Sequence, residues 1–492
     1  MNENTINIVW LKRDLRIHDH APFASVEALS EAYRIIYIFE SSLLTYPDTS
    51  LRHLQFIYHS IVEMNRLLKP YSREVELFYG EAIEVFTYLI KNESLKTILS
   101  HQESGIQLTW NRDKQVKKLF QQHEIRWIEY QRDGIKRGRE NRNKWDKEWF
   151  EVMTQPIIQN KYSMNQLSPL NHPFSLPKDF KDKLETYPKT YQPAGERFAW
   201  RYLRSFIENR GLQYHKFLSK PTESRTSCAR ISPYLSWGNL SIRQVYQFVS
   251  NHPNAKPFQF AIKTFKSRLI WHCHFIQKFE MECRYETECI NKGYESMTYT
   301  DNEDFIQAWK TGQTGFPLVD ACMRCLQATG WVNFRMRAML VSFFCHHLDQ
   351  DWRKGHYHLA RLFLDYEPGI HYPQWQMQAG TTGINTVRIY NPLKQSQEHD
   401  PKGIFIKKWI PELQKVPTEF IHEPWTMPPM LQQMDGVEIG KDYPKPIIDL
   451  KAAYQKGRDK IWGYRKRPEV IAEKQRILNQ HVGRNRSKRR RR

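Results

Sequence analysis

The stretch TGFPLVDACMRCLQATGWVNFRMRAML, residues 314–340, decides the fold of the larger part of this chain. It reads as a helix over 317–329 followed by a second over 332–348. Arg335 and Arg337 fall in the second helix beside Met336, Met339 and Leu340, so at least one guanidinium is expected to be buried. A buried arginine needs a carboxylate or phosphate partner, and Asp365 and Glu367 are the natural candidates.

Helical text continues through 196–209, 241–250, 258–279 and 302–310, which makes residues 195–482 an all-α domain. Toward the N-terminus the pattern changes. Short β-rich runs at 6–11, 34–39, 75–79, 96–100 and 125–130 alternate with helical segments at 51–68, 81–91 and 109–122, the first of these behind a candidate N-cap, Ser50. That alternation predicts an α/β domain over 1–131: a parallel, Rossmann-like sheet with helices on both faces. No GxGxxG follows the first strand, so the sheet lacks the dinucleotide fingerprint. Residues 132–194 are basic and interrupted by proline, and read as a linker wrapping the surface; residues 483–492 form a basic tail. Two or three domains suit 492 residues at roughly 100–200 per domain.

Charge is the first functional signal. Lys and Arg number 74 against 53 Asp and Glu, a net +21, and subtracting the seven basic residues of the tail leaves +14 on the body. Such a field favours polyanions, with nucleic acid the default partner. The longest mainly apolar run, 338–345, is far short of the ~20 residues that cross a bilayer. The N-terminus has no signal-peptide pattern, and the seven cysteines cluster between Cys228 and Cys345, so a reducing, cytoplasmic setting is expected, nucleoid-associated in a prokaryote. Cys322 and Cys325, Cys283 and Cys289, with Cys345, His346 and His347, are the candidate zinc or iron–sulfur ligands; a helical CxxC without a second well-spaced pair reads as packing, and no metal is expected. Asp14, Arg16 and His18 follow the first strand, where open sheets place ligands, and are read instead as interdomain packing.

The stretches IVWLKRDLRIHDH (8–20), CARISPYLSWGNLS (228–241), RLIWHCHF (268–275), the opening stretch, DWRKG (351–355), YPQWQMQAGTT (372–382) and RIYNP (388–392) occur in the order seen in the cryptochrome/photolyase family. On these motifs the chain resembles that family, flavoproteins with an N-terminal α/β domain and an all-α C-terminal FAD-binding domain. The resemblance implies that Tyr214 and the loop Cys228, Ala229, Arg230, Ile231 and Ser232 meet the FAD phosphates and ribityl chain, with Arg268 and His272 in the same cofactor set. Cys228 and Ala229 stand where most members have Thr-Ser, which removes two hydroxyl donors. Arg337 and Asp365 match an ion pair over the isoalloxazine ring, Glu367 a carboxylate near its pyrimidine edge, and His371 the residue beside the flavin nitrogen that gains a proton. Trp375, Trp352 and Tyr299 match an electron-transfer triad; Tyr299 replaces a common Trp, with Tyr294, Tyr285 or Trp309 as substitutes for the last step.

The implied activity is light-driven repair of UV-induced pyrimidine dimers in DNA, by electron transfer from reduced flavin to a flipped lesion. The expected protein is a monomer with UV-damaged DNA as partner. Trp271 matches the stacking platform for a flipped pyrimidine pair and Arg388 a backbone-gripping arginine, with Arg225, Arg230 and Arg243 widening the basic face. Arg268 and Phe334 replace the Glu and Asn that read a cyclobutane dimer, and Met377 a second tryptophan, so both the charge and the donor pattern of the implied lesion pocket are altered. The alternative is a cryptochrome-like blue-light photoreceptor. An antenna chromophore, a folate or a deazaflavin, is the further cofactor that relatives carry in the α/β domain.

Overall fold

Residues 5–29 and 31–482 are described by the computed structural model, so the basic tail at 483–492 lies outside the described residues. Strands β1 (Ile6–Leu11), β2 (Tyr33–Phe39), β3 (Val75–Tyr79), β4 (Leu95–His101) and β5 (Arg126–Tyr130) form one parallel sheet in the order β3-β2-β1-β4-β5. All six residues of β1 are buried, as a central parallel strand covered on both faces requires. Ile8 and Trp10 point into one core with helices α3 (Ala82–Asn92) and α4 (Gln107–Gln122). Val9 and Leu11 point into another with α1 (Ala21–Ala28) and α2 (Leu51–Leu68). Helix α1 had no counterpart in the sequence reading. Ser50 has the extended backbone of an N-cap, but its hydroxyl donates to the Arg361 carbonyl at 2.8 Å instead of capping α2, because the helical domain docks there.

The segment read as linker contains α5 (Trp145–Thr154) and α6 (Lys178–Glu185). Trp145, Trp149 and Met153, one turn apart, bury into the core beneath the sheet. Four charged residues on the other positions of this short helix had masked the periodicity.

The helical domain comprises α7 (Glu196–Ser205), α8 (Ile242–Asn251), α9 (Gln259–Met281), α10 (Glu303–Thr311), α11 (Pro317–Thr329), α12 (Phe334–Ser342), α13 (Arg353–Leu362), α14 (Pro368–Ala379), α15 (Leu450–Arg465) and α16 (Pro468–His481), with shorter turns between them. Asn333 caps α12 by accepting from the Met336 amide, and the helix runs on into a π-helical turn, Phe343–His347. Cys322 and Cys325 pack in the core of this domain. The core beneath the sheet continues into the helical domain through Leu203, Trp237, Leu269 and Ile276. Gly238 sits at the junction with φ +76°, and a Cβ there would lie 2.2 Å from the Arg13 carbonyl oxygen, so only glycine permits this approach. Among the described residues no helix is long and apolar enough to cross a membrane.

Candidate functional site: the cavity of the helical domain

A cavity of 2640 Å³ opens in the helical domain. Helix α9 turns Phe265, Arg268, Leu269 and His272 toward it, the spacing of one helical face. Tyr214 and the whole loop from Cys228 to Ser232 line it, as do Phe334 and Arg337 at the start of α12, Asp365, and Arg388. Trp271 and Phe334 expose 42% and 45% of their surface at this site, unusual for such large rings. The structure thus brings together thirteen of the residues expected to bind cofactor or substrate, from six separate segments of the chain: Tyr214, Cys228, Ala229, Arg230, Ile231, Ser232, Arg268, Trp271, His272, Phe334, Arg337, Asp365 and Arg388, with Met377 beside them.

Arg337 grips Asp365 in a two-pronged pair, Nη1–Oδ1 3.0 Å and Nη2–Oδ2 2.8 Å, while its Nε donates to the Val332 carbonyl. Its side chain keeps 24% of its surface exposed, so the expectation of a buried guanidinium is corrected: the residue borders the cavity. Arg230 adopts a left-handed backbone (φ 57°), stacks on Trp331 at 3.9 Å and donates to Gln192 Oε1 at 2.8 Å. Burial and the neighbouring Arg225 lower its pKa to about 10, which leaves it charged at neutral pH. Burial pushes the Cys228 thiol up to about 12, so it faces the cavity as a neutral group.

Several buried polar atoms around the cavity have no partner within the protein: both ring nitrogens of His272 and the Nε of Arg230 among its lining residues, and the Ser227 hydroxyl just before the loop. Buried polar groups are normally satisfied. A ligand rich in acceptors, such as a dinucleotide with its diphosphate, fits this donor set and the basic loop beside it.

Two expected residues lie elsewhere. Glu367, expected at the cofactor, is fully buried outside the cavity lining, with Arg132 Nη2 at 3.0 Å and Arg13 Nη1 at 3.7 Å. Both arginines come from the N-terminal half, so this carboxylate ties the domains together. His371 is the second correction. On α14 the cavity is met by Ile370, Pro373, Gln374, Met377 and Gln378, and His371 sits beside that face but outside the lining, its Nε2 against the His356 carbonyl at 2.9 Å. Burial drops its pKa to about 3.

Trp375, one turn further along α14, is buried, seated on Gly355, where a Cβ would come within 2.7 Å of its ring. Trp309 lies 6.2 Å from Trp375, centroid to centroid. Trp352 is fully buried against His356, and Tyr299 is half-buried under the Lys460 ammonium, 4.3 Å from its ring centre. None of the three triad positions lines the cavity. Arg243, expected on a basic face, is instead paired with Asp19.

Sequence reasoning missed a second lobe of the cavity, between residues 140–147 and α16. It carries Arg142, Lys144, Lys147, Lys278, Lys474 and Arg476 against Glu140 and Asp146. Clustering of basic residues around 132–147 was the available signal. With this lobe the cavity far exceeds the roughly 300–1,000 Å³ of an ordinary small-molecule pocket.

A further polar cluster sits at the carboxyl ends of β1 and β4, the point where the strand order reverses. Asp14 accepts from the Lys12 amide at 2.7 Å, from His20 Nε2 at 2.9 Å and from His101 Nδ1 at 2.7 Å. One carboxylate and two imidazoles could suit a metal ion, but here the carboxylate already meets its donors. These contacts hold the Asp14 carboxyl well below its ordinary range against the cost of burial, which drops His20 to about 3.

Comparison with known proteins agrees with this geometry. A family model described as the FAD binding domain of DNA photolyase matches residues 265–463, and one described as DNA photolyase matches residues 7–157. A deoxyribodipyrimidine photo-lyase of Alkalihalophilus pseudofirmus is 26% identical over 474 residues, 91% of this chain and 96% of the relative. A cryptochrome DASH of Synechocystis is 24% identical over 92% of this chain and 96% of the relative. The solved structure of an archaeal photolyase from Sulfolobus tokodaii, with two FAD molecules, superposes at a TM-score of 0.77 with 23% identity, covering 93% of this chain and all of that one. The chain, an α/β domain joined to a helical FAD-binding domain, belongs to the cryptochrome/DNA photolyase family.

Proposed function

We propose that this protein is a deoxyribodipyrimidine photolyase-type lyase that repairs pyrimidine dimers in UV-damaged DNA, using FAD and blue light. The observation that carries the reading is the cavity mouth. Two exposed rings, Trp271 and Phe334, stand with Arg268 and Arg388 on the same cavity that Arg337 and Asp365 line. Exposed rings give a flipped base pair a stacking surface, and the arginines attract the phosphates beside it. The second lobe extends this basic field by six cationic side chains, with contacts that confer affinity without sequence choice.

FAD, when bound, supplies light absorption and one-electron chemistry. The chain's part is to hold and insulate it. The loop from Cys228 to Ser232 offers backbone donors and the charge of Arg230, Arg337 and Asp365 orient the ring system, and the apolar side of α14 keeps water from Trp375. For electron supply, Trp375 is the inner ring, with Trp352 and Trp309 behind it. Burial, with Asp351 nearby, holds the Tyr299 hydroxyl protonated, and a cation covers its ring, which makes Tyr299 a poorer terminal donor than Trp309. An antenna of folate or deazaflavin type in the α/β domain is part of this proposal, checked by extracting the chromophores of the purified protein.

The deciding experiment is repair of single- and double-stranded oligonucleotides carrying a defined cyclobutane or (6-4) lesion, with pre-reduced protein in blue light and a dark control. Light-dependent loss of one lesion is expected and names the substrate. Intact lesions despite reduced flavin and measurable DNA binding would favour the second reading, a blue-light receptor, which the cryptochrome DASH relative keeps open.

A further inference from the structure

His272 lies on the cavity face of α9 with both ring nitrogens buried and neither hydrogen-bonded. An imidazole carries at least one donor, and its other nitrogen is an acceptor or a second donor, so leaving both unmet is costly. His53, His346 and His371 each set a ring nitrogen on a backbone carbonyl. His347 also leaves both ring nitrogens unmet, but it packs away from the cavity, whereas His272 lines it. His272 therefore awaits a partner from the cavity.

The charges around it are nearly compensated. From the turn after β5 come Arg132 and Asp133; from the segment before α14 come Asp365 and Glu367. Arg132 serves Glu367 at 3.0 Å and Asp133 at 3.8 Å, and Arg337 of α12 serves Asp365. Arg268, one turn earlier on α9, lines the same wall. With its carboxylate neighbours already engaged, burial dominates and keeps the imidazole neutral in the absence of ligand. A ligand with anionic acceptor atoms changes both conditions at once, by giving the ring a hydrogen-bond acceptor and by adding negative charge.

We infer that binding of FAD, an anionic dinucleotide, is coupled to protonation of His272, which takes one proton from solvent and holds it against the cofactor's charge. This inference rests on FAD being the occupant of the cavity and adds a regulation to it: retention of the cofactor weakens as pH rises. A proton bound only in the complex makes the dissociation constant climb by up to about tenfold per pH unit between the pKa of the imidazole in the free protein and its higher value in the complex.

Calorimetric titration of FAD into the deflavinated full-length chain tests this. Run at pH 7 in two buffers of different ionisation enthalpy, the wild type should show heats that differ by uptake of about one proton per FAD. His272→Gln should bind without uptake and with a dissociation constant that no longer depends on pH between 6 and 9. His272→Arg, with a charge that cannot titrate in that range, should also bind without uptake, and it carries the test if the glutamine variant loses FAD altogether. Buffer-independent heats in the wild type, or uptake that persists in either variant, would overturn the inference. Failure of the wild type to bind FAD at any pH would instead overturn the assignment of the cavity.

Discussion

The polar cluster at the carboxyl ends of β1 and β4 and the polar wall of the helical-domain cavity use the same residue types to opposite ends. Around Asp14 two imidazoles and a backbone amide point at one carboxylate, and each of these donors meets it. Around the cavity His272 and the Nε of Arg230 are buried with nothing to meet. The first arrangement is complete within the chain, at the point where an α/β sheet usually takes a ligand. The second is completed only by something that enters. Composition alone would rank the two the other way, since among the described residues only the first holds a set that could ligate a metal.

Three experiments can break or sharpen that contrast. The largest effect is expected from acid. Burial pushes His346, His347, His356, His358, His371 and His481 of the helical domain down to about 3–4, against His20 and His53 in the α/β domain. Between those values and the ordinary 6.5 the unfolded chain binds protons that the folded chain refuses. Stability therefore falls with falling pH, by up to about 1.4 kcal/mol per unit for each such histidine. Glu280 and Asp320, pushed up to about 7 and 6 by burial, bind protons in the fold and offset part of this. Urea midpoints should drop between pH 7 and pH 5, and brief proteolysis at pH 5 should cut the helical domain first; equal cutting of both domains would erase the distinction.

Next in size is Asp14→Ala, which strands three buried donors and should cost about 3 kcal/mol or more in urea unfolding, while the remaining folded protein keeps its affinity for FAD. Asp365→Asn should do the reverse. Arg337 loses a charge partner at the cavity edge, so FAD affinity falls about ten- to a hundredfold by equilibrium dialysis with little change in the urea midpoint. Loss of FAD in the first variant, or of stability in the second, would show that the two clusters are not separable in this way.

Much of this was legible in the sequence, and the exceptions have physical reasons. The five strands are apolar runs bounded by turns, and such runs in a buried parallel sheet look the same with or without a structure. Helix α5 was hidden because only Trp145, Trp149 and Met153 mark its inner face. The site residues at 214, 228–232, 268–272 and 365 came from motifs, yet a motif fixes a position and not a direction. His371 and His272 illustrate this. Helical phase alone puts His371 on the side of Trp375, four residues on, and His272 on the side of Arg268, four residues back, and the structure has them facing accordingly. The role of Glu367 was not readable at all, because its partners Arg13 and Arg132 lie more than two hundred positions away.

That last contact has a consequence in time. Arg13 and Arg132 leave the ribosome long before Glu367 is made, and domains fold in the order of their synthesis. The carboxylate can be buried only against a finished N-terminal partner, since alone it would be an uncompensated charge beside the flavin cavity. Docking of the two domains thereby becomes a checkpoint in maturation: a helical domain that has not met its partner still carries a carboxylate that it cannot bury.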